Sequence, residues 1–595
     1  MREIYRKHSA LTVDVNNAEL EDLIWKSALL NAVKHDGKAQ LGPVISKVLA
    51  EKPELRSRVK EIINVINKII QEVNTLPLTE QRKIVEEKWP EALEKTRVDE
   101  EKRLPPLPNV DRYPMVITRF SPNPDCVLHL GSARAIILSY EYARMYKGKF
   151  ILRFEDTDPK LKKPTLEFYD RIREDLEWLG CKPDEEYIQS DRLPIYYEYA
   201  EKLIADGNAY VCTCKPQEFR ELVLAKKPCP CRNLPPEDNV ERWHRMLSGH
   251  YREGEAVMRI KTDLNHPNPA VRDWPALRII DVEKNPHPRV GTKYNVWPLY
   301  NFACGLDDHL MGVTHIIRGK EHMTNMVRQQ YLYHHLGWQY PEAIHYGRLK
   351  IVGAFLSKSK IVQGVRSGVF KGWDDPRLAT FAALRRRGIT PKAIKMLIFD
   401  VGPKSQDVVI SWENLYAYNR KILDPEVNRY FFVADPVMLS VKGIPRPIHA
   451  RIRLHPQHPE RGFREYAIKP EGADNKALFW ISKEDVEHIT PGVVVRLMEL
   501  FNLRIERVGE HSIEASFLSE TYEDARKLKA PLIHWVPINS SISCKVIMPD
   551  SSVKEGVAEG ACRSLKPNHI VQFERFGFVR IDSVADGLIA YYAHK

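Results

Sequence analysis

Apolar residues recur at spacings of three and four over residues 17–35 and 43–73. They are Leu20, Leu23, Ile24, Leu29 and Leu30 in the first stretch, then Val44, Ile45, Val48, Leu49, Ile62, Ile63, Ile66, Ile69 and Ile70 in the second. That period lines them up along one stripe of a helix, so the pattern predicts an amphipathic helical region. The charged, proline-rich run EEKRLPPLP, residues 100–108, reads as a linker closing a helical N-terminal domain over residues 1–105. From Pro114 the period changes. MVITRF is apolar and β-branched, SPNPD carries two prolines, GSARAIILSYEYARMY has helical spacing, and a second strand follows at residues 149–154. Strand and helix alternating in this way predict a Rossmann-type, doubly wound parallel sheet whose ligands bind beyond the carboxyl ends of its strands. The loop at 121–130 sits at such an end.

The alternation divides the rest of the chain. Residues 106–200 form the first half of a catalytic domain. Cysteine pairs, proline-rich stretches and short strands such as EAVMRIKT then mark an inserted subdomain over 201–295. Apolar segments resume with VTHIIRG, giving the second half over 296–365, and a helical region follows over 366–430. Beyond that come short β-like runs, among them RYFFV, RIRLH, VVVRLMEL and SIEASFL, at turn-rich intervals. These favour β-barrels or sandwiches over 431–595. The fold class expected is multidomain α/β plus all-β.

Length supports several cores, since 595 residues exceed what a single one usually serves. No run of about 18 apolar residues suggests a membrane span. The opening MREIYRKHSALTVDV lacks the apolar stretch and cleavage site of a secretory signal, so a cytoplasmic location with free thiols is expected. Lys and Arg outnumber Asp and Glu by 90 to 79, a net charge of +11. That balance supports a polyanionic partner without deciding on one.

Three segments carry chemistry. Pro122, His129, Gly131 and Ser132 lie at a strand-to-helix turn, where glycine lets backbone approach a phosphate and an imidazole can hydrogen-bond its oxygens. Ser357-Lys358-Ser359-Lys360 lies in a polar loop 229 residues after His129, and lysine ammonium groups there can neutralise charge on departing pyrophosphate. Alone, the first is a loop with a stray histidine and the second a solvated basic loop. Together, at opposite ends of one doubly wound domain, they suit ATP. Cys212-Thr-Cys214 and Cys229-Pro-Cys231 make two C-x-C pairs separated by 14 residues, a set that suits a closed, tetrahedral, structural Zn²⁺ site. The other reading is four free thiols, like the cysteines at 126, 181, 304, 544 and 562.

The first two segments resemble the HIGH and KMSKS signatures of class I aminoacyl-tRNA synthetases. RFSPNPDCVLHLGSARA and RFEDTDP resemble the glutamyl- and glutaminyl-tRNA synthetase branch, and GWDDPRL with LRRRG its archaeal and eukaryotic-type members. The resemblance covers residues 105–430 strongly and the remainder weakly. The signatures are departed from in two places: Ser132 stands fourth in the first, and Phe355 and Leu356 open the second, leaving Lys358 as the matching lysine. The resemblance implies ATP with Mg²⁺, catalytic roles for His129 and Lys358, and ATP contacts at Pro122, Gly131, Ser132, Ser357 and Ser359. It implies an acceptor-stem role for the insert, stem contact for the helical region with Arg385, Arg386 and Arg387 toward tRNA, and anticodon binding by the C-terminal barrels. A monomer is expected.

The amino-acid pocket follows from charge as well. Glutamate carries two carboxylates and one ammonium, so a selective site needs guanidinium donors and one carboxylate. Arg119, Glu155, Tyr300 and Arg318 match the family's amino-acid positions, with Glu155 toward the α-amino group, Arg119 and Tyr300 toward the side chain, and Arg318 toward a carboxylate. Glutaminyl enzymes typically carry an uncharged residue where Arg318 stands. The expected activity is therefore ATP-dependent ligation of L-glutamate to tRNA(Glu) through glutamyl-adenylate, with tRNA(Gln) as a second acceptor left open. The rivals are a glutaminyl-tRNA synthetase, a short paralogue that modifies a tRNA base, and a catalytically inactive tRNA-binding paralogue. Arg318 opposes the first, the long C-terminal region the second, and intact His129, Gly131 and Lys358 the third.

Overall fold

The computed structural model describes residues 17–34, 37–52, 55, 59–89, 104–353, 357–509 and 512–595. It separates after Arg103 into two compact units. Among its described residues the first holds four helices, α1 (Asn17–Lys34), α2 (Leu41–Glu51), α3 (Val59–Thr75) and α4 (Leu78–Lys88). Their apolar stripes converge on Ile24, Ala28, Val48, Ile66, Val73 and Val85. The second apolar run of the sequence is thus shared between two helices. Lys52, the residue before Pro53, leaves helical geometry with ψ at 78° and ends α2, as the proline ring requires of its predecessor.

The second unit begins within the stretch read as a linker: Leu104 and Leu107 are buried in its main core. Strands β1 (Ile117–Phe120), β2 (Lys149–Phe154) and β3 (Glu185–Ile188) pair in parallel, in that order. Helices α5 (Ala133–Met145) and α6 (Leu166–Trp178) connect them. Next come α7 (Leu193–Ala205) and an antiparallel sheet of β4 (Ala209–Cys212), β5 (Val257–Ile260), β6 (Pro275–Ile279) and β7 (Val296–Pro298). Leu193, Tyr196 and Ala200 of α7 share a core with Trp243, Trp274 and Trp297, so this packing starts before residue 201. Two helices, α8 (Pro216–Leu224) and α9 (Pro236–Leu247), lie between β4 and β5.

The chain returns through α10 (Tyr300–Leu310) to β8 (His315–Gly319), α11 (Met323–Leu336) and β9 (Glu342–Tyr346), the last two strands again parallel. Thr314 joins the two parallel ladders. Its amide donates to the Ile117 carbonyl at 2.9 Å, and its hydroxyl accepts from the Ile117 amide at 2.8 Å. The combined order is β3-β2-β1-β8-β9, and the winding reverses between β1 and β8, where such sheets bind ligands. After β10 (Leu349–Ile351), helices α12 (Lys358–Arg366), α13 (Phe381–Arg387) and α14 (Pro391–Val401) follow; β11 (Val408–Ile410) then pairs with β10, and α15 (Trp412–Leu423) closes the region.

Two seven-stranded mixed sheets complete the unit. One is made from strands within 436–537. The other has Arg429–Tyr430 and Phe432–Ala434 at its edges and draws its remaining strands from 541–594, so the first sheet is inserted into the second along the chain. Among the described residues, no helix is long and apolar enough to cross a membrane.

Candidate active site

A cavity of about 510 Å³ opens at the carboxyl ends of β1 and β2, with Pro122, Ser132, Glu155, Tyr300, His322 and Lys358 on its wall. Members of the two sequence signatures and of the expected amino-acid set therefore share one wall. Ser121 Oγ, Asn123 Oδ1 and Asn301 Oδ1, on residues that also line it, are buried without a protein hydrogen-bond partner among the described residues. A bound polar ligand would satisfy them.

Helix α10 presents Tyr300, Cys304 and Asp308 at spacings of four, hence on one face. Asp308 lies beneath the site, accepting from Arg119 Nε at 3.1 Å, Arg119 Nη2 at 3.2 Å and Arg153 Nη1 at 2.7 Å. Arg153 Nη2 also donates to Glu155 Oε1 at 3.2 Å and contacts the Cys304 sulfur at 3.1 Å. Arg119, Arg153 and Asp308 are almost fully enclosed. Burial alone would raise the Asp308 carboxyl, but Arg119 and Arg153 outweigh it and hold the group below the usual carboxylate range. At Glu155 burial wins and the carboxyl is raised, with Arg153 and Arg119 pulling the other way. Sequence reasoning missed Arg153, Cys304 and Asp308. The repeat of four starting at Tyr300 was the available signal for the latter two.

Arg318, at the end of β8, is 5% exposed. Its guanidinium donates to His345 Nε2 at 3.3 Å, Gln329 Oε1 at 3.1 Å and the Tyr340 hydroxyl at 3.0 Å. All three are neutral acceptors: burial, then Arg318 itself, pushes His345 down to about 4. Among the described residues no carboxylate lies in ion-pair range of Arg318. A buried cation held only by neutral groups is costly until an anion joins it. Tyr300 and Arg119 are its electrostatic neighbours, so the four expected amino-acid residues form one cluster.

His129 caps the turn that opens α5. Its Nδ1 accepts from the Gly131 amide at 3.0 Å, which assigns the proton to Nε2. Burial, with Lys358 adding to it, pushes the imidazole down to about 4, so it is neutral near pH 7. A Cβ on Gly131 would stand 2.7 Å from His129 Cε1, which is why this position carries no side chain. The Leu130 amide donates to Ala379 and the Phe381 amide to Leu128, tying the turn to the segment after GWDDPRL. Lys358, first residue of α12, reaches across to Asp125 at 2.9 Å. The Ser357 and Ser359 hydroxyls lie 3.2 Å apart at the same helix start. Phe355 and Leu356 fall outside the described residues.

The four expected metal ligands, Cys212, Cys214, Cys229 and Cys231, converge with all four sulfurs within 4.8 Å of one another. Cys212 and Cys229 stand 3.9 Å apart and Cys214 and Cys231 3.7 Å, near the edge of about 3.8 Å that a tetrahedron with Zn–S bonds near 2.3 Å requires. The three successive arginines separate. Arg387, 2% exposed, donates to Tyr416 Oη and to the Tyr592 and Ala593 carbonyls. The expectation of a tRNA contact at Arg387 is therefore corrected: it braces the C-terminal strand, because the helix turns it inward. Arg386 pairs with Asp374 and Asp582, and Arg385 lies over Trp178.

A family model described as tRNA synthetases class I (E and Q), catalytic domain, matches residues 115–425. Two described as anti-codon binding domains of the same family match residues 427–521 and 532–582. The chain is 56% identical to the glutamate–tRNA ligase of Pyrococcus furiosus over 584 residues, 97% of this chain and 100% of that one. It is 55% identical to that of Thermococcus kodakarensis over 584 residues, with the same coverage. With that of Caldivirga maquilingensis the identity is 48% over 593 residues, 97% of this chain and 99% of the other. The cavity at the switch point thus lies in a chain that belongs to the class I tRNA synthetases of the E and Q family, in its archaeal-type glutamate–tRNA ligase branch.

Proposed function

We propose that the protein activates L-glutamate with ATP, giving glutamyl-adenylate and pyrophosphate, and then transfers the glutamyl group to tRNA(Glu). Arg318 carries this reading: an enclosed guanidinium whose partners among the described residues are all neutral, next to Tyr300, needs a carboxylate that those residues do not supply. Glutamine would leave the charge uncompensated, and a guanidinium cannot accept from its amide. ATP–pyrophosphate exchange with each amino acid, run with tRNA present because enzymes of this branch usually need it for activation, tests the reading. Strong preference for glutamate is expected, and glutamine used equally well would overturn it.

In this mechanism the α-carboxylate of glutamate attacks the α-phosphorus of ATP in line. Positioning and charge stabilisation do most of the work. Glu155 receives the α-ammonium, and Arg119, whose Nε and Nη2 are already committed to Asp308, turns its remaining edge to the side chain. Neutral His129 donates from Nε2 to a phosphate oxygen. Lys358 exchanges Asp125 for the β- and γ-phosphates and neutralises charge as pyrophosphate departs. Glu155 is the one carboxylate among the wall residues, so the wall offers no acidic pair to hold Mg²⁺, which would be held by the ATP phosphates and would supply charge to offset theirs. Class membership implies that the terminal ribose 2′-OH takes the glutamyl group.

Cys212, Cys214, Cys229 and Cys231 would hold Zn²⁺ as a closed structural site that fixes the end of β4 to the turn at 229–233. Metal analysis is expected to give close to one zinc per chain, and a value far below one removes the assignment. Arg385 and Arg386 are the members of the arginine run left to meet tRNA phosphates. Charging purified tRNA(Glu) and tRNA(Gln) with labelled glutamate establishes whether the second is also an acceptor.

A further inference from the structure

The amino-acid site rests on five enclosed charges. Arg119, Arg153 and Arg318 are guanidiniums, and Glu155 and Asp308 are carboxylates. The titratable groups packed directly against them are neutral or paired, while the cations Lys162, Arg328 and Lys358 stand on the same cavity wall, outside this count. Burial pushes His322 and His345 down to about 4 and Cys304 up to about 12, and raises Tyr300 well above its ordinary value. Asp307, beside Asp308 on α10, is paired with Arg192 at 2.9 Å. Glu321 is exposed at the rim. Three positive charges against two negative leave the enclosed cluster one positive charge in excess.

Zwitterionic glutamate carries one net negative charge and glutamine none. We propose that Arg153 and Asp308 are positioning residues through which the site reads the net charge of its amino acid, the selective quantity being the enclosed charge count rather than Arg318 alone. The inference rests on the glutamate reading given above. Arg153 faces Glu155 and Asp308 rather than the cavity, and Asp308 faces the two arginines. Neither lines the wall, yet each sets the balance that substrate must close. In an enclosed site one uncompensated charge weighs heavily, while removing a paired cation and anion together can be close to neutral.

That difference supplies the experiment. The glutamate KM, the ATP KM and kcat are measured by tRNA-dependent exchange for Asp308→Asn, Arg153→Met and the double variant, with thermal unfolding as the folding control. Each single variant shifts the count by one, in opposite directions, and should raise the glutamate KM about tenfold or more while the ATP KM moves less than about twofold. The double variant restores the excess of one and should return the glutamate KM to within about threefold of the wild type. Single variants that leave the glutamate KM unchanged, or a double variant no better than the worse single or unable to fold, would overturn the proposal. A double variant that folds and binds glutamate when neither single folds would support it. Failure of the glutamate reading is distinct, because it would show in the wild-type enzyme as equal use of glutamine.

Discussion

Arg318 and His129 show how a single side chain acquires its chemistry from what surrounds it. Replacing Arg318 by Gln removes an enclosed cation that has no counter-charge among the described residues, so the fold is expected to hold while kcat/KM for glutamate falls by about two to three orders of magnitude, the usual loss when a buried charge partner is deleted. Tm and exchange kinetics measured together check both halves, and unchanged glutamate kinetics would refute the pocket assignment. Gly131→Ala forces the imidazole out of its place, since the added Cβ meets Cε1 at 2.7 Å. A fall in kcat of about tenfold or more, with Tm little changed, is expected by steady-state exchange. The sequence motifs single out His129 and Arg318 by position, and His345 not at all, but none of the three by charge state. That the two histidines are neutral, and Arg318 unpaired among the described residues, follows from burial, which no spacing reveals.

Helix α10 and the helix that follows the histidine turn hold the site at the scale of elements. Tyr300, Cys304 and Asp308 share a face of α10 because they are four residues apart, and that register brings the pocket and its foundation onto one rigid body. Arg134, on α5, is fully enclosed and donates to the carbonyls of Gly347, Gly402 and Lys404, linking the histidine turn to the segments around β10 and α14. Lysine cannot reproduce that fork. Arg134→Lys should lower the unfolding free energy by about 2–4 kcal/mol, from carbonyls left unpartnered, and denaturant unfolding measures it. A loss within error would show that the contacts are dispensable. The helices and strands themselves were legible: β1, β2 and α5 fall where the period changes. The reach of the linker was not, because Leu104 and Leu107 look like any leucines among prolines until the core that receives them exists.

The whole molecule carries a pH signature. His129, His322 and His594 are held near 4 by burial, against an ordinary value of 6.5. The unfolded chain therefore binds these protons first. These histidines leave stability level above about pH 6.5 and pull it down between 6.5 and 4, at up to about 1.4 kcal/mol per pH unit for each, while Asp175, whose carboxyl burial raises to about 7, pulls the other way with the weight of one of them. Asp308, held low by its arginines, keeps its charge across that window in the folded chain and steepens the fall only toward pH 4, where an unfolded aspartate begins to take up its proton. Tm recorded from pH 8 to pH 4 should show the plateau and then the fall. A fall beginning above pH 7, or none by pH 4.5, would contradict the assignment of these imidazoles as neutral.

Period and local chemistry are properties of neighbouring residues, and these the chain alone expressed: the helical N-terminal unit, the strand–turn–helix with His129 and Gly131, the paired cysteines, and the β-rich C-terminal third. What required the folded chain was every relation between distant segments. Asp308 meets Arg119 across 189 residues, Lys358 meets Asp125 across 233, and Arg387 turns inward because a C-terminal strand lies behind it. Charge state and partner choice depend on enclosure, and enclosure exists only once those segments pack. The resemblance could therefore name Arg318 as a candidate, while the packing alone shows it to be a cation without an anion, in a cluster whose balance glutamate completes.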